Sequence, residues 1–438
     1  MDIVTIDFET YYDRDYSLSK MTTESYIRDK RFQVIGMAVK VNDTPTRWYE
    51  SDKVRGFLNS IDFSDKFILA HNTAFDGAIL SWHYNIKPKF WLDTMSMARP
   101  KHGMTIGCSL NALSKCYKLG EKGTEVLNAL GKRLGDFTSE ELKQYAQYCI
   151  NDVELTYKLW TKLSKNYPAT ELRVIDQTIK MYTEPEIEID TDLLAHHAEK
   201  IRADKQKLVD TLTTKTSGSQ LEKVLMSNPM FAKLLEKLGV EPPKKLSIRT
   251  GEPTFAFAKT DKEFTKLTEH PNLLVQQLVS ARLGMKSTIE ETRTDNLLKV
   301  AERGKLPIML NYYGAHTGRF SGGDKLNLQN LPRNGAIRKA LTVPKDKMLV
   351  ACDSSQIEAR MVAYISDQKD LVEAFRQGRD VYSEFASEIY GRKITKQDKL
   401  ERFVGKTCIL GLGYGMGAEK FKNTLALGQG GMSVDINI

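Results

Sequence analysis

The run Ile3-Val4-Thr5-Ile6-Asp7-Phe8-Glu9 constrains this chain more than any other stretch. Its apolar, β-branched start predicts a short buried strand that ends on Asp7. Successive side chains of a strand alternate between faces, so Asp7 and Glu9 share one. Two carboxylates side by side repel, and both stay ionised at low cost only with a cation between them. A fold that accepts this strand must cover its apolar residues while leaving the acidic pair facing positive charge.

Residues 1–165 read as α/β, with further strands over Gln33–Val41 and Phe67–Ala70. A long helix follows from Ser139 to Ser164, where Leu142, Tyr145, Ala146, Cys149, Val153, Leu155, Leu159 and Leu163 recur at three- and four-residue steps. Thr138 or Ser139 with Glu140 and Glu141 offers its start. Between 166 and 300 Lys- and Leu-rich helical patterns dominate (Thr191–Leu212, Phe231–Leu238), punctuated by Ser217-Gly218-Ser219 and Pro242-Pro243, and an elongated helical region fits better than a sheet. From 301 strands return: Met348–Cys352 reads as a buried strand ending on Asp353, with helices over Glu384–Tyr390 and Arg402–Leu412. The chain has 438 residues, 41% hydrophobic and 27% charged, enough for two to four domains at about 150 residues each.

Oxygen-only donors recur in the N-terminal part. Asp76 follows the third strand in His71-Asn72-Thr73-Ala74-Phe75-Asp76, and Tyr148 and Asp152 stand one helical turn apart on a shared face. Four acids and a phenol favour Mg²⁺ or Mn²⁺, and two such ions about 3.5–4 Å apart would stabilise the attacking and leaving oxygens of a phosphodiester cleavage. Any one of these acids alone would read as a turn residue. As a set, Asp-x-Glu on the first strand, Asn-x-x-x-Asp after a later one and Tyr-x-x-x-Asp on a helix resemble the DEDDy 3′–5′ exonuclease family. The resemblance implies a ribonuclease H-like fold in which Asp7 bridges both metals, Glu9 and Asp152 complete one site and Asp76 supports the other. Tyr148 would orient the attacking water and Asn72 touch the single-stranded 3′ end. His71 reads equally as packing or as a substrate contact.

The C-terminal part carries Thr317-Gly318-Arg319-Phe320-Ser321 and Asn327-Leu328-Gln329-Asn330-Leu331-Pro332, donors suited to phosphates and minor-groove acceptors. Asp353-Ser354-Ser355-Gln356-Ile357-Glu358 places a carboxylate after a strand, and Arg402 and Lys406 lie four apart on a helix that leads to Tyr414. Singly these read as solvated surface. Their order resembles the DNA polymerase I family (family A), with motif A and motif B. The resemblance implies an exonuclease domain (1–165), a thumb-like helical region (166–300), an incomplete palm (301–378) and partial fingers (379–438). It makes Asp353 a metal ligand, Glu358 the block against a ribose 2′-OH, and Arg402 and Lys406 the grip on the incoming dNTP. Leu410 would stand beside the nucleotide sugar and Tyr414 beside the templating base. Arg319, Asn327 and Gln329 would contact the primer–template, and Arg282 and Lys286 the DNA backbone. Tyr382 stands where the family often has His.

Two departures accompany the resemblance. Leu410 replaces the Phe or Tyr that many members carry. The later His-Asp-Glu segment, motif C, is not found; Asp435 comes too early for it. The expectation is an N-terminal part of a replicative polymerase of bacteriophage flavour, truncated or split before motif C. It would be exonuclease-competent alone, and synthesis would depend on a C-terminal fragment. A stand-alone nuclease and a non-catalytic primer–template-binding fragment are the alternatives.

The remaining composition fits this picture. Five cysteines (108, 116, 149, 352, 408) show no CxxC spacing, which suits reduced thiols and neither a zinc site nor a disulfide frame. A net charge of +8, from 64 Lys plus Arg against 56 acids, is compatible with a polyanionic partner without demanding one. No apolar window approaches the roughly 18 residues of a spanning helix. Met1-Asp2-Ile3-Val4 has no basic leader, so the expected location is cytoplasmic (the host cytoplasm if phage-encoded), with no membrane partner.

Overall fold

β1 (Ile3–Thr10) is the middle strand of a five-stranded sheet of order β3-β2-β1-β4-β5. It runs antiparallel to β2 (Val34–Val41), with Asp7 opposite Ala38 and Glu9 opposite Gly36, and parallel to β4 (Phe67–Ala70) over Ile3–Thr5. β3 (Arg47–Glu50) extends the β2 side antiparallel, and β5 (Phe90–Asp93) the β4 side in parallel. The strand therefore continues past Asp7, which was expected to close it. The reason is that β2 runs beside it to Val34 and keeps the hydrogen-bond ladder going. Gly36 is required there: a Cβ would lie 2.1 Å from the Trp48 ring.

Helices α1 (Thr23–Ile27), α2 (Ser51–Asn59), α3 (Thr73–Tyr84), α4 (Thr94–His102), α5 (Leu110–Tyr117), α6 (Ser139–Leu163) and α7 (Ala169–Thr183) accompany the sheet. Their apolar faces share one core with it, including Met37, Ile68, Trp91, Leu159 and Tyr182. Each such fully buried side chain contributes about 1.5–3 kcal/mol of transfer free energy. α3 approaches β5 and α7 so closely that a Cβ on Gly77 would meet Thr183 at 2.9 Å and Trp91 at 3.1 Å.

The computed structural model describes residues 2–123, 129–213, 223–247, 250–258, 261–286, 289–331, 335–427 and 434. It divides into two units, Met1–Leu349 and Val350–Ile438. In the first unit, residues beyond α7 are largely helical, as the Lys and Leu rhythm predicts: α8 (Thr191–Thr213), then Asn228–Lys237, Leu273–Lys286 and Ile289–Arg303. A hairpin of Lys244–Leu246 with Pro253–Phe255 interrupts them, because Pro242-Pro243 cannot continue a helix. This region has its own core of Phe231, Leu235, Phe257, Phe264 and Val279.

Beyond 301 the described strands are two residues long, Leu310–Asn311 with Ser321–Gly322, and Leu341–Thr342 with Glu188–Ile189. Met348–Cys352 is not the buried strand its composition suggests. It has no strand assignment, and Met348 and Val350 are 84% and 78% exposed. A strand is held by its neighbours' ladder and cover, and among the described residues none is supplied here.

The second unit packs helices Ile357–Ile365, Lys369–Arg376, Val381–Tyr390, Lys399–Gly413 and Ala418–Leu427. Gly405 lets two of them meet closely, since a Cβ would fall 2.3 Å from the Tyr382 carbonyl. All five cysteines are free. Among the described residues no helix is long and apolar enough to cross a membrane.

Candidate active site

The pleat of β1 turns Asp7 and Glu9 to the face covered by α6, whose 25 residues begin with a capping box. The Glu141 amide donates to Thr138 Oγ1 at 3.2 Å, and the Thr138 amide donates to Glu141 Oε2 at 2.9 Å. This start sets the rotation of α6, which brings Tyr145, Tyr148, Cys149 and Asp152 onto its buried face. The β1–β4 ladder ends at Thr5–Leu69. Past that end the Phe8 amide donates instead to Asp76 Oδ1 at 3.0 Å, which fixes the acid in the first turn of α3. Asp7, Glu9, Asp76, Asp152 and Tyr148, scattered over 146 positions from 7 to 152, thus converge.

Glu9, Asp76 and Asp152 are buried and Asp7 is half-buried. Burial raises the Asp7 pKa to about 7, aided by the Asp152 charge. Burial, then the charge of Asp7, pushes Glu9 and Asp76 well above the ordinary carboxylate range. Burial and Asp152 likewise raise the Tyr148 phenol, so it remains a protonated donor, and it is hydrogen-bonded to Asp152. Four acids held this close resist ionising together without a cation.

The donor set fits a hard divalent cation. Candidate ligand atoms of Asp7, Glu9 and Cys149 lie within 4.8 Å of one another. Burial holds the Cys149 thiol well above its usual pKa, and its Sγ–H is directed at the Asp7 carbonyl and Oδ2, at 3.3 and 3.4 Å. The thiol therefore stays protonated, and the donors that remain are carboxylate oxygens.

Three members of this site escaped the sequence reading. Tyr145 donates to Glu9, and Cys149 sits against Asp7; in the sequence both belong to the apolar rhythm of the helix, although they share the Tyr148–Asp152 face. Lys122, from the loop before α6, pairs with Asp152 and places Nζ 4.8 Å from the Tyr148 ring centre. No local pattern marks it. Asn72 is exposed in a left-handed conformation at φ 77° as the N-cap of α3, its amide bonded to Asp93. Both ring nitrogens of His71 are engaged, with Thr94 Oγ1 at 2.8 Å and the Cys108 carbonyl at 2.9 Å, which is a packing arrangement.

The polymerase-like residues are distributed differently. In the first unit Arg319 and Gln329 are exposed, and Gln329 Nε2 donates to the Phe320 carbonyl at 3.4 Å. Asn327 Oδ1 accepts from the Gln329 amide at 3.0 Å, capping a short turn. Gly318, at φ 82°, brings this loop against the Tyr313 ring. Arg282 corrects an expectation. It has no exposed surface, donates to the Leu225 and Ser227 carbonyls and to Asn228, and lies over Phe231 and Phe257. A DNA phosphate does not reach it there, because the core of this helical region has closed around its guanidinium. The Lys286 side chain and Asp435 lie outside the described residues.

In the second unit Asp353, Glu358 and Tyr414 are exposed, with Asp353 outside any strand. Arg402 and Lys406 share a helix and are both half-buried. Arg402 forks onto Asp380 at 2.7 and 3.1 Å, over the buried ring of Tyr382. Leu410 is half-buried and lines a hollow with Glu358, Met361 and Tyr414.

Residues 186–432 match the family profile described as DNA polymerase family A. DNA polymerase I of Synechocystis sp. is 29% identical over 378 residues, covering 80% of this chain and 36% of the relative. That of Chloroflexus aurantiacus is 28% identical with 80% and 38% covered, and the thermostable enzyme of Thermus aquaticus is 38% identical over 128 residues. The chain thus spans little more than a third of the first two relatives. The polymerase domain of Pol1 from M. smegmatis, in complex with DNA primer-template and dNTP, superposes with a TM-score of 0.62 at 21% identity, covering 96% of this chain and 69% of that one. This likeness is one of fold.

Proposed function

The chain belongs to DNA polymerase family A, and from that premise we propose that it joins a 3′–5′ exonuclease, residues 1–165, to primer–template-binding elements of a DNA-directed DNA polymerase. The observation that carries the nuclease is the convergence of Asp7, Glu9, Asp76, Asp152 and Tyr148. We read the β3-β2-β1-β4-β5 sheet as ribonuclease H-like. Asp7, Glu9, Asp76 and Asp152 would hold two divalent ions, Mg²⁺ or Mn²⁺, with Asp7 shared between them, Glu9 and Asp152 serving one and Asp76 the other. Such ions, when bound, supply charge stabilisation for the attacking and leaving oxygens of the phosphodiester. The chain's own part is to hold the ligands and the water. The Phe8 amide fixes Asp76, Tyr145 fixes Glu9, and Tyr148, protonated and tied to Asp152, orients the water. Asn72 contacts the strand's 3′ end.

For the polymerase elements we assign 166–300 to the thumb, 301–378 to the palm and 379–438 to the fingers. Arg319, Asn327 and Gln329 hold the duplex, and Lys286 its backbone. Asp353 serves as metal ligand, Glu358 as the ribose block, Arg402 and Lys406 as the dNTP grip, and Leu410 and Tyr414 flank the nucleotide. Arg402 has to exchange Asp380 for phosphate to take that role. Among the described residues Met348–Cys352 has no strand partner, so Asp353 is held firmly for synthesis only once that segment is paired.

The test is a 5′-labelled primer on a longer template with Mg²⁺ and all four dNTPs, wild type beside Asp7→Ala. Shortening by the wild type, reduced at least about 10²-fold by the substitution, is expected, without extension by either protein. A primer left intact by the wild type would sink the nuclease reading. Extension by Asp7→Ala would sink the requirement for pairing at Met348–Cys352.

A further inference from the structure

Lys122 is the feature of the acidic site that the proposed mechanism leaves unused. It is built in rather than incidental. Asn151 Nδ2 of α6 donates to the Glu121 carbonyl at 2.9 Å, pinning the loop one residue before Lys122. Gly120, at φ 138°, brings the loop within 3.3 Å of Leu155 if given a Cβ. α6 thereby holds the loop from two positions that flank Asp152, and the ammonium lands between Asp152 and the face of Tyr148.

A charge count says what a cation is for there. Asp7, Glu9, Asp76 and Asp152 carry four negative charges when ionised, and two divalent ions balance them. The scissile phosphodiester brings a further negative charge, and a second develops as water attacks. Lys122 supplies one positive charge against these two. We infer that Lys122 is held by Asp152 while the site lacks metal, and turns to a non-bridging oxygen of the scissile phosphate once ions and DNA are bound. Lys122 then competes with metal in the free protein and assists the reaction in the loaded one. The inference rests on the exonuclease reading above.

These two roles pull a substitution in opposite directions, which makes the test sharp. With a 5′-labelled single-stranded oligonucleotide at saturation, Lys122→Met is expected to lower kcat by about 10²-fold, and Lys122→Arg to recover most of it. Without DNA, Mn²⁺ titrated by electron paramagnetic resonance should bind Lys122→Met about threefold more tightly than wild type, since a partly exposed ion pair no longer opposes it. Unchanged kcat in Lys122→Met, with Asp7→Ala still inactive, overturns the role of Lys122 and leaves the nuclease standing. A fall in kcat together with weaker Mn²⁺ binding also overturns it, because that is what loss of site structure gives. Shortening that does not depend on Asp7 removes the exonuclease reading and this inference with it.

Discussion

Arg282 has a guanidinium enclosed by two phenylalanines and three oxygen acceptors, and burial draws its pKa down to about 10, so it stays charged at neutral pH. Arg282→Met strands those acceptors, and we expect a loss of about 3 kcal/mol, read as faster hydrogen exchange across 225–283. The salt dependence of DNA binding should not change, whereas loss of a phosphate contact would reduce the slope of log K against log salt by about 0.9. Asp7 gives a pH prediction with a definite sign. A carboxyl whose folded pKa is raised keeps its proton longer than in the unfolded chain, so metal-free stability falls as pH climbs from about 4 to about 7. Divalent ions need the ionised form, so Mg²⁺ should raise Tm at pH 8 and leave it unchanged at pH 5; equal shifts at both would refute the coupling. The identities of these acids were plain in the sequence. Their elevated pKa values were not, because burial and mutual repulsion exist only once β1, α3 and α6 meet.

At the scale of elements, α6 carries the most weight, since four site residues ride on one face of it. Its start was legible because a capping box is local: Thr138, Glu141 and three intervening bonds suffice. Lys132, donating to Glu141, holds that carboxylate down at about 2. Thr138→Ala should cost about 1 kcal/mol and appear as faster amide exchange over 139–145, with the rate of the proposed exonuclease falling as Tyr145 loosens. Unchanged exchange there would mean that packing on β1 and β2, rather than the cap, holds the first turn. Met348–Cys352 shows the opposite case. Its apolar, β-branched content predicts a strand from propensity alone, yet a strand is a relation between segments, and exposure of 78% at Val350 is what propensity without a partner leaves. The hairpin of Lys244–Leu246 with Pro253–Phe255 is illegible in the sequence for a related reason: three-residue strands pair with each other across a turn and carry too little periodicity to announce themselves.

For the molecule as a whole, each unit buries its own cores and leaves some large apolar side chains uncovered, Met348 of the first at 84% exposure. The first closes its cores around the sheet and around Phe231 and Phe264. The second leaves Val350, Tyr364 and Ile365 at 78%, 72% and 76% exposure, large apolar side chains of the kind that mark interaction surfaces. Substituting all three with Lys should lower the binding of an apolar fluorescent dye at least about twofold while leaving Tm within about 2 °C, since no buried contact is lost. Undiminished dye binding would place the exposed apolar surface elsewhere. The family profile covers residues 186–432, so the acidic cluster of the first 152 residues stands on its geometry.

The chain's own order of residues determined the chemistry on offer: an acidic pair on one strand face, a Tyr and Asp one helical turn apart, and a basic helix behind a motif-bearing loop. Those are short-range facts, set by the two-residue repeat of a strand and the 3.6-residue repeat of a helix. Tertiary structure alone decided that Asp76 meets the Phe8 amide where a ladder runs out, that Lys122 reaches Asp152 from a loop without a signature, and that Arg282 turns inward. Each of these depends on segments far apart in sequence, where burial and charge are properties of the assembled fold and of no single stretch of it.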